Sequence, residues 1–349
     1  MANNYDIKLG VSLYSYQDNY YFHRFDLEGC LAAAAGAGAK GIEVFSDAMI
    51  PEWPYVSDGF VDKWNGWMER YGLDPVCLDH FSDRAMWHDK QLTDDEMYER
   101  GVLYIKTARK LGCSSIRVLH DAHIGVGISP YKLTTADIVE RLLPVARDYD
   151  IMMALECHAP TNVADPVHEP YLEAAEKLGI PNVGLQVDFS SYEYCMSTAD
   201  IILEESNGVS REILEMIRSK QREAYFAGEK FEFETIRADV EKMARSEADK
   251  IFLERKHFLF FGNCASFKDL EEYASKVVYT HGKFYDIDEN GEVDNMDYHR
   301  IFKALKDGGY KGYICSEFEG NRRMNGVGWC DEIEYVRKHH VLMRKCLAE

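Results

Sequence analysis

The stretch "ALECHAP", residues 154–160, closes an apolar run with a carboxylate, a thiol and an imidazole. Three later apolar segments finish in a similar way. "VGLQVDFS" (183–190) carries Asp188, "VVYTHGKFYDID" (277–288) carries His281, and "GYICSEFEG" (312–320) carries Glu317. If each is a strand buried on both faces, an acid at its end is costly unless it is paired. Three such acids brought together raise one another's pKa, and a divalent cation removes that repulsion. Glu156, Asp188, His281 and Glu317 offer oxygen and nitrogen donors and no thiolate. That set suits Mn²⁺, the ion expected here, or Mg²⁺, Co²⁺ or Zn²⁺, with positions left open for a substrate. Strand alternation puts His158 on the same side as Glu156, where an imidazole neutral near pH 7 is well placed to move a proton. Lys283 shares a side with His281 and could hold a substrate oxygen. Glu43, His80 with Asp79, His120 with Asp121, and Arg322 are further candidates for substrate contact. Cys157 alternates away from Glu156 and reads as a core residue.

These residues need a scaffold that aligns strand ends. Short apolar segments alternate with amphipathic ones along most of the chain. Strands are expected at 9–16, 41–45, 74–81, 113–121, 151–159, 183–190, 277–288 and 312–320. Helices are expected at 26–39, 58–72, 93–112, 134–150, 168–179, 295–309 and about 331–346, with Pro144 kinking or shortening the fourth. Eight strand–helix units predict a (β/α)8 TIM barrel, whose active site lies at the C-terminal ends of the strands. The rhythm breaks over about 195–275, which reads as a long charged helical insertion between strands six and seven of a single catalytic domain, 1–349. Helices packed on the barrel, an active-site lid and a partner surface all fit that pattern. A doubly wound sheet is the alternative fold, but no βα connection carries GxGxxG, so no NAD is expected.

The formal charge of −20 disfavours a phosphate backbone as partner, so no nucleic acid is expected. No apolar run approaches the ~20 residues of a membrane span. The N-terminal "MANNYDIKLG" has neither the basic nor the apolar part of a signal peptide, and the nine cysteines are scattered. The expectation is a cytoplasmic protein without disulfides and without a membrane partner.

At the Glu156–Asp188–His281–Glu317 set the chain resembles the xylose isomerase-like TIM barrel superfamily of sugar isomerases and epimerases, as do "LGVSLYSY" (9–16) and "GIEVF" (41–45). The resemblance covers nearly the whole chain apart from the insertion. "ECH", "HGKFYDID", the insertion and "EFEGNRR" are similar to one branch, the C-glycoside deglycosidase catalytic (α) subunits. The resemblance implies a metal-dependent carbon–carbon lyase that separates a 3-oxo-sugar from an aromatic aglycone. It also implies a small β-type partner subunit and a higher oligomer.

The chemistry is consistent with the residues. A C-glycosidic bond has no leaving oxygen to protonate, so hydrolysis by a carboxylate pair is unsuitable. A ketone at sugar C3 acidifies the C2 proton, and a base can remove it while a cation stabilises the enediolate. The aglycone then leaves C1 by β-elimination as its ring carbon is protonated. His158 is the expected base, with Lys283 or His120 orienting oxygens or protonating the leaving group. The same enediolate without elimination gives a keto-sugar or inositol-type epimerase or isomerase, and the resemblance to epimerases of the superfamily implies Glu156 and Glu317 as its acid/base pair. A metal-dependent nuclease and a non-enzymatic sugar-binding barrel are further readings. The acidic charge opposes the first and the intact acidic set opposes the second.

Overall fold

The computed structural model describes residues 6–80, 84, 90–119, 133–259, 261–262, 264–324 and 329–349. Eight parallel strands close a barrel in sequence order: β1 Lys8–Ser12, β2 Gly41–Phe45, β3 Asp74–Asp79, β4 Ser115–Val118, β5 Met152–Cys157, β6 Val183–Asp188, β7 Val277–Phe284 and β8 Tyr313–Phe318. Closure leaves no sheet edge, so every strand is buried on one side by the barrel interior and on the other by helices. Gly41 lets Tyr313 and Val76 close in beside it, since a Cβ there would lie 2.5 Å from each.

The helices form because their ends are capped and their apolar faces meet the strands. Ser57 caps Asp58–Tyr71, and Thr93 with Glu96 makes a capping box on Asp94–Lys110. The helix Thr135–Asp148 runs through Pro144 rather than ending there. Several strands stop earlier than alternation suggests. Ser12 accepts the Tyr14 N–H and Asp188 accepts the Ser190 N–H, and each thereby caps a 3₁₀ turn, Leu13–Tyr16 and Phe189–Tyr192. Those turns carry apolar residues, so the sequence there still reads as strand.

Between β6 and β7 the helices Thr198–Ser206, Arg211–Ala227, Arg237–Met243 and Glu247–Arg255 share an apolar core separate from that of the barrel, built on Ile213, Leu214, Ile217, Val240 and Phe258. The helix Phe267–Tyr273 falls inside the expected 195–275 insertion, yet its Leu270 packs in the barrel's main core. No described helix is long and apolar enough to cross a membrane.

Behind β8, on the C-terminal helix Glu332–Ala348, His339 and His340 are fully buried. His340 Nε2 lies 3.1 Å from the Gly10 carbonyl, and burial lowers the ring from 6.5 to about 4. The folded chain therefore binds this proton less readily than the unfolded chain does. The stability this gives is complete above pH 6.5 and is lost as pH falls through about 4, a change of roughly 3 kcal/mol. His340→Gln, which keeps a donor for Gly10, should move the acid unfolding midpoint to lower pH by circular dichroism. An unmoved midpoint would assign the acid transition to other groups.

Candidate metal centre

Residues that alternate inward along the strands meet at the C-terminal end of the barrel. β6 and β7 pair Asp188 with His281, and β7 and β8 pair Lys283 with Glu317, so neighbouring strands set these side chains next to one another. Glu156, Asp188 and His281 are buried and present donor atoms that all lie within 4.8 Å of one another. Glu317 Oε2 is 3.1 Å from His281 Nδ1 but also 2.9 Å from Lys283 Nζ, which draws it toward the lysine.

The histidine's two nitrogens have different surroundings. Nε2 is 2.6 Å from Glu43 Oε2, a pure acceptor, so Nε2 carries the hydrogen in the neutral ring. Nδ1 then turns its lone pair toward Glu156 Oε1 at 3.2 Å, Asp188 Oδ2 at 3.5 Å and Glu317 Oε2 at 3.1 Å. The Gln186 amide nitrogen, 3.1 Å from Nδ1, is a donor to that lone pair, but three carboxylate oxygens around the same point remain repulsive unless a cation sits among them. Burial disfavours charge on His281, but Glu317 and Glu43, with Asp188 and Glu156, outweigh it and hold its pKa well above the ordinary range. A proton and a divalent cation thus compete for one position.

The remaining charges carry the same shortage of positive charge. The acids Glu43, Asp79, Glu156, Asp188, Glu317 and Glu319 outnumber the cations Arg117, Lys283 and Arg323. Burial, together with Asp188 and Glu319, pushes Glu317 up to about 8 in spite of His281 and Lys283. Burial likewise opposes charge on Lys283, but Asp188, Glu317 and Glu319 hold it protonated well above its usual range. Lys283 is therefore held as a cation. A divalent ion fits this donor set, with Glu156, Asp188 and His281 as its ligands and Glu317 within reach.

His158 follows β5 and is half-buried. Its Nδ1 lies 2.8 Å from the Ala159 carbonyl, which can only accept. Nδ1 therefore carries the hydrogen and Nε2 the lone pair, the tautomer a base requires.

Other expected contacts are placed differently. Glu43 is fully buried behind His281, where it accepts from Ser12 Oγ at 2.6 Å and from the Tyr279 hydroxyl and lies against the histidine's Nε2. His80 turns outward and packs on Tyr104, with ring centroids 4.4 Å apart. Asp79 before it turns inward to Arg117. Arg322 is exposed and donates to Gln17, while Arg323 reaches inward, 2.5 Å from Asp200 and 3.7 Å above the Tyr285 ring. His120 and Asp121 lie outside the described residues. Arg117 and Glu319 belong to the site although the sequence reading passed over them. A lone arginine inside the apolar "SIRVL" and a second glutamate two residues after Glu317 were the available signals.

The xylose isomerase-like TIM barrel family matches residues 31–221. A C-glycoside deglycosidase alpha subunit of Arthrobacter globiformis is 30% identical, the alignment covering 98% of this chain and 93% of that protein. A 3'-dehydrocarminate deglycosidase alpha subunit of a Microbacterium species is 29% identical, with 98% and 96% covered. Among solved structures, a D-psicose 3-epimerase superposes with a TM-score of 0.58 at 12% identity over 98% of this chain and 100% of that one. An IolI protein with a bound zinc atom gives 0.55 at 13% identity, with 98% of both chains covered. At these identities the two structures speak to the fold alone.

Proposed function

The chain belongs to the xylose isomerase-like TIM barrel family and groups with its C-glycoside deglycosidase alpha subunits, and on that premise we propose that it is the catalytic subunit of a metal-dependent carbon–carbon lyase acting on 3-oxo-C-glycosides. The observation that carries the metal reading is His281 Nδ1, turned toward three carboxylate oxygens within 3.5 Å. Glu156, Asp188 and His281 would hold the cation, Mn²⁺ by preference, and Glu317 would be the fourth ligand. Bound there, a divalent cation supplies Lewis acidity that lowers the cost of negative charge on substrate oxygens.

His158 Nε2 takes the C2 proton of the 3-oxo-sugar. The electron pair forms the C1–C2 double bond as the bond from C1 to the aryl carbon breaks, and the aryl carbon gains a proton. Lys283, kept charged by its carboxylates, is the cation that orients substrate oxygens, and Lys283 or His120 supplies the proton to the leaving group. The names of the relatives make a β-type partner subunit part of this proposal. The 3-oxo group itself must come from a separate oxidation.

Product analysis with a 3-oxo-C-glucosyl flavonoid tests the reading. The lyase yields free aglycone. A glycoside recovered with its aglycone attached, and with its C2 centre inverted or its carbonyl moved from C3 to C2, would replace it with an epimerase or isomerase.

A further inference from the structure

Glu156 offers its two oxygens to different partners. Oε1 faces His281 Nδ1 at 3.2 Å, whereas Oε2 lies 3.3 Å from Arg117 Nη1. Arg117 is fixed in turn by Asp79, whose Oδ1 is 2.5 Å from Nη2. The side chains of Arg117, Asp79 and Glu156 are 10%, 1% and 2% exposed. β4 pairs with β5 at Arg117 and Ala154, so the guanidinium stands on the interior face two residues along from Glu156. A guanidinium is poor core filling, and here its two terminal nitrogens each face a carboxylate while Nε finds no partner among the described residues.

We propose that Arg117 is a positioning residue: held by Asp79, it occupies Oε2 of Glu156 so that this ligand gives the metal one oxygen and not two. The inference rests on the metal reading above. Carboxylates bind hard cations through one oxygen or both, and a hydrogen-bonded partner outside the ligand shell fixes which. A one-oxygen Glu156 leaves a coordination position for a substrate oxygen. The planar fork matters because it spans Asp79 and Glu156 at once, which a lysine ammonium does not reproduce.

Mn²⁺ titration and the Mn²⁺ electron paramagnetic resonance spectrum test this on the full chain. Losing Arg117 alone would leave Asp79 buried and unpaired, so the main variant is Asp79→Asn with Arg117→Met, accompanied by Arg117→Lys. The paired variant should keep the native circular dichroism spectrum, bind Mn²⁺ about 10–100-fold more weakly and show an altered spectrum. Arg117→Lys should retain the altered spectrum. In a Glu156→Gln background the paired variant should cause no further loss. Unchanged affinity and spectrum in an Mn²⁺-binding protein would overturn the positioning role and leave the metal reading standing. A loss that persists undiminished in the Glu156→Gln background would also overturn it, as a general charge effect. Absence of Mn²⁺ binding by the unsubstituted chain would overturn both.

Discussion

His281→Ala and Glu156→Gln should each lose bound Mn²⁺ and turnover together. His281 brings the nitrogen donor, and its Nδ1 is the point on which Glu156, Asp188 and Glu317 converge. Without the ring, Glu43 keeps Ser12 and Tyr279 as partners but no longer aims anything at the centre. Glu156→Gln keeps shape and removes charge. A fall in Mn²⁺ affinity on the order of 10³-fold, about 4 kcal/mol, is expected from either change, with activity falling in step at fixed Mn²⁺. Calorimetric titration beside turnover measures both. His281→Ala protein that binds Mn²⁺ as tightly as the parent would place the cation elsewhere.

His158→Ala should behave in the opposite way, keeping the metal and losing turnover. The residue stands outside the Glu156–Asp188–His281 donor group, just past the end of β5 and two positions beyond Glu156. The Ala159 carbonyl fixes its tautomer with the lone pair on Nε2. Removing a positioned general base costs about 10²–10⁴-fold in rate. The effect should fall on kcat with Mn²⁺ affinity near that of the parent, and solvent deuterium exchange at substrate C2 should fall with it. Full activity in His158→Ala, or a metal loss equal to the activity loss, would remove it from the role of base.

The difference between the readable and unreadable parts of this site is physical. Glu156, Asp188 and His281 are legible because each is a polar residue late in or inside an otherwise mostly apolar strand, and parity decides which strand face a side chain occupies. Parity does not give depth. Glu43 shares the inward face, but it sits in the middle of β2 opposite Ser12, fully buried against His281. His80 shows the limit of parity itself: β3 ends at Asp79, and the inward position belongs to the aspartate. Arg322 and Arg323 lie on the short helix Gly320–Met324, where neighbours diverge by about 100°, so the adjacent arginine reaches Asp200. Strand ends at Ser12 and Asp188 depend on side-chain caps to backbone N–H groups, which apolar periodicity does not register. The barrel was legible throughout because its signal is repeated strand by strand.

The most direct measurement is aglycone release from a 3-oxo-C-glucosyl flavonoid by one preparation of the chain with its partner subunit. It is assayed as isolated, after EDTA stripping, and after Mn²⁺ is restored. Release that stops on stripping and returns with Mn²⁺ is the predicted result. Release that continues undiminished in metal-free protein would contradict the account.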